Sequence, residues 1–169
     1  MHGIVGSGMV QTLQILCILL AALVVAPSLA HALEFPGKRR LDRETYLKVQ
    51  AIYYPGFTVA GGFEPVALIA VFVLLLFVPF GTVQFWLSAA AFMGLLLAHA
   101  IYWVITHPVN RIWLKNEKLG EAGGRFFAAG TRTAEGDWTA LRDRWEWSHV
   151  MRAALEMLSL TALVIVAVL

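Results

Sequence analysis

From Trp145 the chain reads Trp-Glu-Trp-Ser-His-Val-Met-Arg-Ala-Ala-Leu-Glu-Met-Leu-Ser-Leu-Thr-Ala-Leu-Val-Ile-Val-Ala-Val-Leu, which brings it to Leu169. The later part is an unbroken apolar run, long enough with its flank to cross a bilayer as a helix. The earlier part is polar in a pattern. His149, Arg152 and Glu156 follow one another at spacings of three and four, so a helix puts them on one face. Trp145 lies one turn before them and Ser159 about one turn after. A charge held near mid-bilayer costs at least a few kcal/mol unless it is paired or wetted. This stretch therefore predicts a membrane helix whose polar face looks into a bundle.

The whole chain agrees. Of 169 residues, 59% are hydrophobic and 14% charged, and the mean hydropathy is +0.71. Soluble domains carry about 25% charged residues, so the composition is that of an integral membrane protein. The net charge of +2 says little, because it sums two very unequal halves; no nucleic-acid partner is expected. The single cysteine, Cys17, sits in an apolar run and excludes both an intrachain disulfide and a cysteine metal cluster.

Four segments are predicted to span, at about 10–30, 58–80, 83–105 and 138–169, the membrane part of the last starting near 149. The first resembles a secretory signal at Ser28-Leu29-Ala30 and Ala30-His31-Ala32. Residues 1–9 hold no Lys or Arg, however, and the apolar run exceeds a signal core, so it is expected to stay as a helix. Glu34-Phe-Pro-Gly-Lys-Arg-Arg reads as a turn around Pro36 and Gly37. Asp42 then caps a short amphipathic helix carrying Tyr46, Val49 and Tyr53 and ending at Pro55. Gly61-Gly62 leads into the second span. A tight turn at 79–81 makes spans two and three antiparallel neighbours. The loop 108–137 is polar but holds Phe126 and Phe127. Asp137 caps a helix in which Trp138, Leu141 and Trp145 run straight into span four, about 48 Å in all.

All 13 Lys and Arg fall in two places. Lys38, Arg39, Arg40, Arg43 and Lys48 lie between spans one and two. Arg111, Lys115, Lys118, Arg125, Arg132, Arg142, Arg144 and Arg152 lie between span three and the start of four. The fold class that follows is an all-α membrane protein: a four-helix up-down bundle with a short cytoplasmic amphipathic helix and a long cytoplasmic loop between helices three and four. The positive-inside rule puts both termini outside and the basic loops in the cytoplasm, in the inner (plasma) membrane.

This arrangement gathers separate residues into one layer. His31 ends span one and Glu64 begins span two. His99, Trp103, Thr106 and Asn110 share a face near the end of span three, with His107 slightly aside. His149, Arg152 and Glu156 begin span four. Four of the five histidines lie here. Each has a plainer reading. Arg152 snorkels with Glu156 neutralising it; His107-Pro108 terminates a helix; Asn110 caps the loop. His31, Trp103 and Trp145 belong to an interfacial belt, His99 is a satisfied core histidine, and Glu64 is a helix N-terminal charge. Co-location on several helices favours a site.

In such a site a histidine can remove or donate a proton near neutral pH, and Arg152 can hold a phenolate or enolate oxygen. Apolar walls suit a flat, oily substrate arriving from lipid. A metal site competes. Glu146-Trp-Ser-His149 has the Glu-x-x-His spacing of di-iron bundles, without the second unit such a site needs. Iron or copper held by His31, His99, His107 or His149 with Glu64 or Glu156 stays open.

His107-Pro-Val-Asn110-Arg111 after a third helix, then Trp138 and Trp145-Glu-Trp-Ser-His149-Val-Met-Arg152 entering a fourth, resemble the anthrone oxygenase-like family of small membrane proteins. The matching elements are Pro108 with Asn110, and Trp145 with His149 and Arg152. Glu156 and His99 have no counterpart in that pattern. The resemblance implies a four-helix membrane protein. It also implies, for some members, oxidation of anthrones to anthraquinones by molecular oxygen without a recognised cofactor. The reading that follows is a membrane oxygenase acting on an anthrone-, phenol- or quinol-like substrate. His149 is the base, Arg152 the anion holder, and Asn110 and His107 position the substrate. His31, Glu64, His99, Trp103, Trp145 and Glu156 line the pocket. The expected partners are a lipophilic small molecule and membrane lipid, with a homo-oligomer or a membrane complex open. The alternative is a non-enzymatic membrane subunit, or a metal- or cofactor-binding bundle, whose polar layer is structural or docks a partner.

Overall fold

The structure, a computed structural model, describes residues 2–53, 55–113 and 138–169, with the backbone alone over 2–7. Among the described residues there is helix and turn but no strand. Four helical stretches are long and apolar enough to cross a membrane: Gly8–Lys38, Gly56–Phe77, Val83–Trp113 and Trp138–Val168. This is the build of a multi-pass membrane protein. Three of them have 31 residues, about 46 Å of helix against a hydrocarbon core of about 30 Å. They therefore overrun the apolar layer by several turns.

The first helix, α1 (His2–Lys38), passes through Pro27 and Pro36 without ending. The turn expected over 34–40 is thus displaced to 39–41, where Arg40 and Leu41 donate back to Gly37 and Lys38. Each proline forfeits one backbone donor, and a packed apolar helix tolerates this where its neighbours absorb the defect. Asp42 caps α2 (Arg43–Gln50) as expected, accepting from Thr45 N at 2.8 Å. One 3-10 turn (Ala51–Tyr53) follows. Tyr46, Gln50 and Tyr53 are the residues this segment buries.

The second span is two helices, α3 (Gly56–Gly61) and α4 (Phe63–Phe77), meeting at Gly62. It stops at Phe77 rather than 80, because Val78 precedes a proline and turns extended (φ −89, ψ 130). Gly81 takes φ +84, a left-handed conformation that suits glycine. Thr82 then caps α5 (Val83–Ile101) by accepting from Phe85 N.

Span three does not end near 105 as the sequence predicted. It widens into a π-helical turn (Tyr102–Thr106) and continues as α6 (His107–Trp113). His107 N donates to Tyr102 O, five residues back. The wider turn gives the Pro108 ring room that a regular α-turn denies it. Pro108 therefore bends the hydrogen-bond pattern instead of stopping the helix, and Asn110 lies within α6 rather than capping a loop. The expected loop features at Phe126, Phe127 and the Asp137 cap lie outside the described residues. The last helix, α7 (Trp138–Val168), is continuous.

α1 and α5 each pack against both α4 and α7. Along the axis the interior changes character. Towards the Val78–Thr82 turn it is almost wholly apolar: Cys17, Ala21, Val71, Leu74, Ala91, Leu95 and Leu163 are each at most 1% exposed, with the hydroxyl of Ser88 buried among them. The opposite, basic end buries Lys38, Glu64, Glu146, His149, Arg152 and Glu156. The helix surfaces are studded with exposed apolar side chains such as Ile15, Leu19, Ile69, Leu76, Val104 and Leu158, as a lipid-facing surface requires.

α5 and α7 approach closely at Gly94. A Cβ on Gly94 would collide with Ser159 Oγ and lie 3.2 Å from Leu155 O. Small residues at such crossings let membrane helices approach and pack by dispersion. Gly94→Ala is expected to lower stability by about 1–3 kcal/mol through overpacking. Adding Ser159→Ala should recover part of that loss, because the hydroxyl is the group struck. Thermal unfolding of the two single variants and the double variant in detergent checks the coupling.

Candidate functional site

Where the core turns polar, the helices enclose a cavity of about 280 Å³. This lies near the lower end for small-molecule sites and suits a small aromatic molecule or headgroup better than a whole lipid. α1 contributes Ser28 and His31, and the end of α3 contributes Thr58, Gly61 and Gly62. α4 adds Glu64, α5 adds His99, and the π turn adds Tyr102, Trp103 and Thr106. Asn110 of α6 and His149 and Arg152 of α7 complete the wall. Thr58, Gly61, Gly62 and Trp103 are exposed as well as cavity-lining, so the mouth lies between α3 and the π turn. A Cβ on Gly61 would meet open space there.

Arg152 organises the electrostatics. Its Nη2 lies 3.4 Å from both oxygens of Glu64 and 3.4 Å from Glu156 Oε1. Its guanidinium also sits 5.2 Å from the centre of the Tyr102 ring, a cation–π distance. Two carboxylates thus share one guanidinium, and all three side chains are at most 8% exposed. Glu64 is more than a helix N-terminal charge. It also lies 3.3 Å from His99 Nδ1, while His99 Nε2 accepts from Trp103 Nε1 at 3.0 Å. That bond assigns the His99 proton to Nδ1, facing the carboxylate.

The opposite wall is imidazole. The rings of His31 and His149 lie with centroids 4.3 Å apart, inclined at 41°. Trp145 sets its edge against both, at 4.8 and 4.2 Å, and donates from Nε1 to Asn110 Oδ1 at 2.6 Å. This bond fixes the Asn110 amide and ties α6 to α7. Thr106 and Ser148 make a second tie, Oγ1 to Oγ at 2.8 Å. Neither ring nitrogen of His149 has a hydrogen-bond partner among the described residues.

Of the residues picked from the sequence, His31, Glu64, His99, Trp103, Asn110, His149 and Arg152 all line this one cavity. Trp145 and Glu156 stand behind it as supports. His107 is not on its wall; the ring packs against Trp103 and Tyr102 at 4.8 and 5.9 Å. The spacing that put it slightly aside was correct, and the π turn rotates it further.

A second polar cluster lies one layer nearer the basic end and was not singled out from the sequence. Lys38 Nζ donates to His31 Nδ1 at 3.1 Å and lies 3.0 Å from Glu34 and 3.7 Å from Glu146. Tyr46 OH donates to Glu146 Oε1 at 2.8 Å, and Tyr53 OH donates to Glu34. The signal was present as Lys38 spaced seven after His31 and four after Glu34, which a continued helix aligns. The expected turn hid it. Glu146 therefore turns to Tyr46 and Lys38. Among the described residues no three His, Cys, Asp or Glu side chains gather as metal ligands would. Burial, then the charge of Glu146, pushes the Tyr46 phenol well above the ordinary tyrosine range.

No family model, curated protein or solved structure matches the chain, so the site is read from its own geometry.

Tyr46→Phe leaves the buried Glu146 with one partner fewer, and is expected to cost about 1–3 kcal/mol of stability at neutral pH. The native state keeps the Tyr46 proton at a pH where the unfolded chain loses it. Stability should therefore fall as pH rises past about 10, the unfolded tyrosine value. The variant should fall less steeply there. Unfolding curves between neutral and alkaline pH measure both effects.

Proposed function

We propose that the protein is a membrane oxygenase-type oxidoreductase that takes a lipophilic aromatic substrate, of the anthrone, phenol or quinol kind, into the cavity between α3 and the π turn. The observation that carries this reading is His149. It is buried on the cavity wall, has no hydrogen-bond partner on either ring nitrogen among the described residues, and stands one helical turn from a guanidinium. An imidazole so placed is positioned to take a proton from a bound carbon or hydroxyl acid. Arg152 offers its charge to the oxygen on which the negative charge then collects. The Asn110 amide, held by Trp145, presents its NH2 group to orient that oxygen. Tyr102, Trp103 and Phe57 supply flat apolar walls. His107 acts in this reading only by supporting Trp103.

For an anthrone the steps balance. His149 removes a proton from the methylene carbon, and the electron pair delocalises onto the ring carbonyl oxygen beside Arg152. Molecular oxygen accepts electrons from this enolate and forms a carbon–oxygen bond at the former methylene. Loss of water leaves the second carbonyl, so one oxygen atom enters the product and the other leaves as water with both hydrogens. The resemblance in residues 107–152 supports this chemistry, and the up-down arrangement gives it a setting. The basic end faces the cytoplasm, both termini lie outside, and the membrane is the inner one.

The test is oxygen uptake and quinone absorbance with anthrone, using purified protein in detergent and the spontaneous oxidation rate as baseline. His149→Ala should lose at least about a hundredfold in rate, and Arg152→Gln a comparable amount. Full turnover in His149→Ala would end its role as base. Iron or copper in stoichiometric amount, with activity lost on chelation, would favour the metal-binding reading instead.

A further inference from the structure

Lys38 is an unusual residue for its place. It is 4% exposed, beneath the cavity floor, yet it is cationic. Every element packed against it presents a polar or aromatic group. His31 and Glu34 come from α1, Glu146 and Trp145 from α7, and Tyr53 from the 3-10 turn, with Tyr46 of α2 behind Glu146. Charge balance alone needs only a carboxylate partner. Two features go further. Lys38 hydrogen-bonds an imidazole that lines the cavity. Its other close partner, Glu34, is 44% exposed and so reaches water. His31, Lys38 and Glu34 thus form a line from the buried cavity to the surface, with contacts of 3.1 Å and then 3.0 Å.

We propose that His31, Lys38 and Glu34 are a proton relay connecting the cavity with water at the basic end of the bundle. Nδ1 of His31 accepts from Lys38, so the imidazole proton sits on Nε2. Lys38 passes a proton to Nδ1 as Nε2 releases its own into the cavity, and Glu34, protonated from water, restores the ammonium. Run backwards, the same steps carry a proton from the cavity to water. Only protons move, and no electron or heavy atom is transferred. Glu146, anchored by Tyr46, stabilises the ammonium form between steps. The relay serves the proton-abstracting site proposed above, but it is a property of the free protein and is testable without substrate.

The experiment uses the full chain with 15N-labelled histidine, in detergent and without ligand. It measures exchange of the imidazole N–H protons with water. Lys38→Met is expected to slow exchange at His31 by about tenfold or more. His99, on the far wall beside Glu64, should be unchanged. Glu34→Gln removes the surface terminus of the line at a half-exposed position and keeps an oxygen for the Tyr53 hydroxyl. It should give the same pattern, and it stands in where Lys38→Met fails to fold. An unchanged rate at His31 in Glu34→Gln overturns the relay, and so does equal slowing at His31 and His99. Neither result depends on anthrone turnover, so the relay and the oxygenase reading fail separately.

Discussion

A guanidinium buried in a membrane bundle must keep its counter-charges, and Arg152 keeps two. Its removal would leave Glu64 and Glu156 facing each other in a medium where an unpaired charge costs several kcal/mol. Its presence ties α4 to α7 and sets the polar floor of the cavity. It also draws His99 into line through Glu64. The sequence of constraints runs outward from this group. α7 must present Arg152 inward, so His149 a turn earlier also faces inward, and Trp145 falls behind both. The site is in this sense a by-product of satisfying one charge, with imidazoles placed where a purely structural ion pair would not need them.

The periodic parts of this fold were readable in advance. The four apolar runs, the Asp42 cap and the shared face of His149, Arg152 and Glu156 all follow from spacing. Seven side chains chosen by that logic line the same cavity. The errors in helix extent have one physical origin. Pro36 and Pro108 were read as helix ends because proline disrupts a solvated helix. In a bundle that buries its backbone, the chain instead continues past them. At Pro108 it does so through a π turn, which no residue pattern announces. Treating 34–40 as a turn broke the register linking His31, Glu34 and Lys38, and so the second polar cluster stayed hidden. His107 enters the predicted site through the resemblance over 107–152 rather than through spacing, which places it aside.

The division of the interior into an apolar half and a polar half also separates two tasks. Leu74, Leu95, Leu163 and their neighbours hold the helices together where no chemistry is asked of them. The polar half is then free to leave atoms unpaired, which an entire core of that kind could not sustain. α2 belongs to the polar half through Tyr46, whose hydroxyl caps the Glu146 carboxylate, and through Gln50, which lines the cavity.

Gly94 has a mechanical consequence. With no space between α5 and α7 at that crossing, these two helices form an incompressible pair. The cavity wall they share cannot yield. Compliance falls to the other side, where α3 rests on α1 and α4 and faces the π turn across a gap. The mouth can therefore widen by displacing α3 but not by parting α5 from α7 at Gly94.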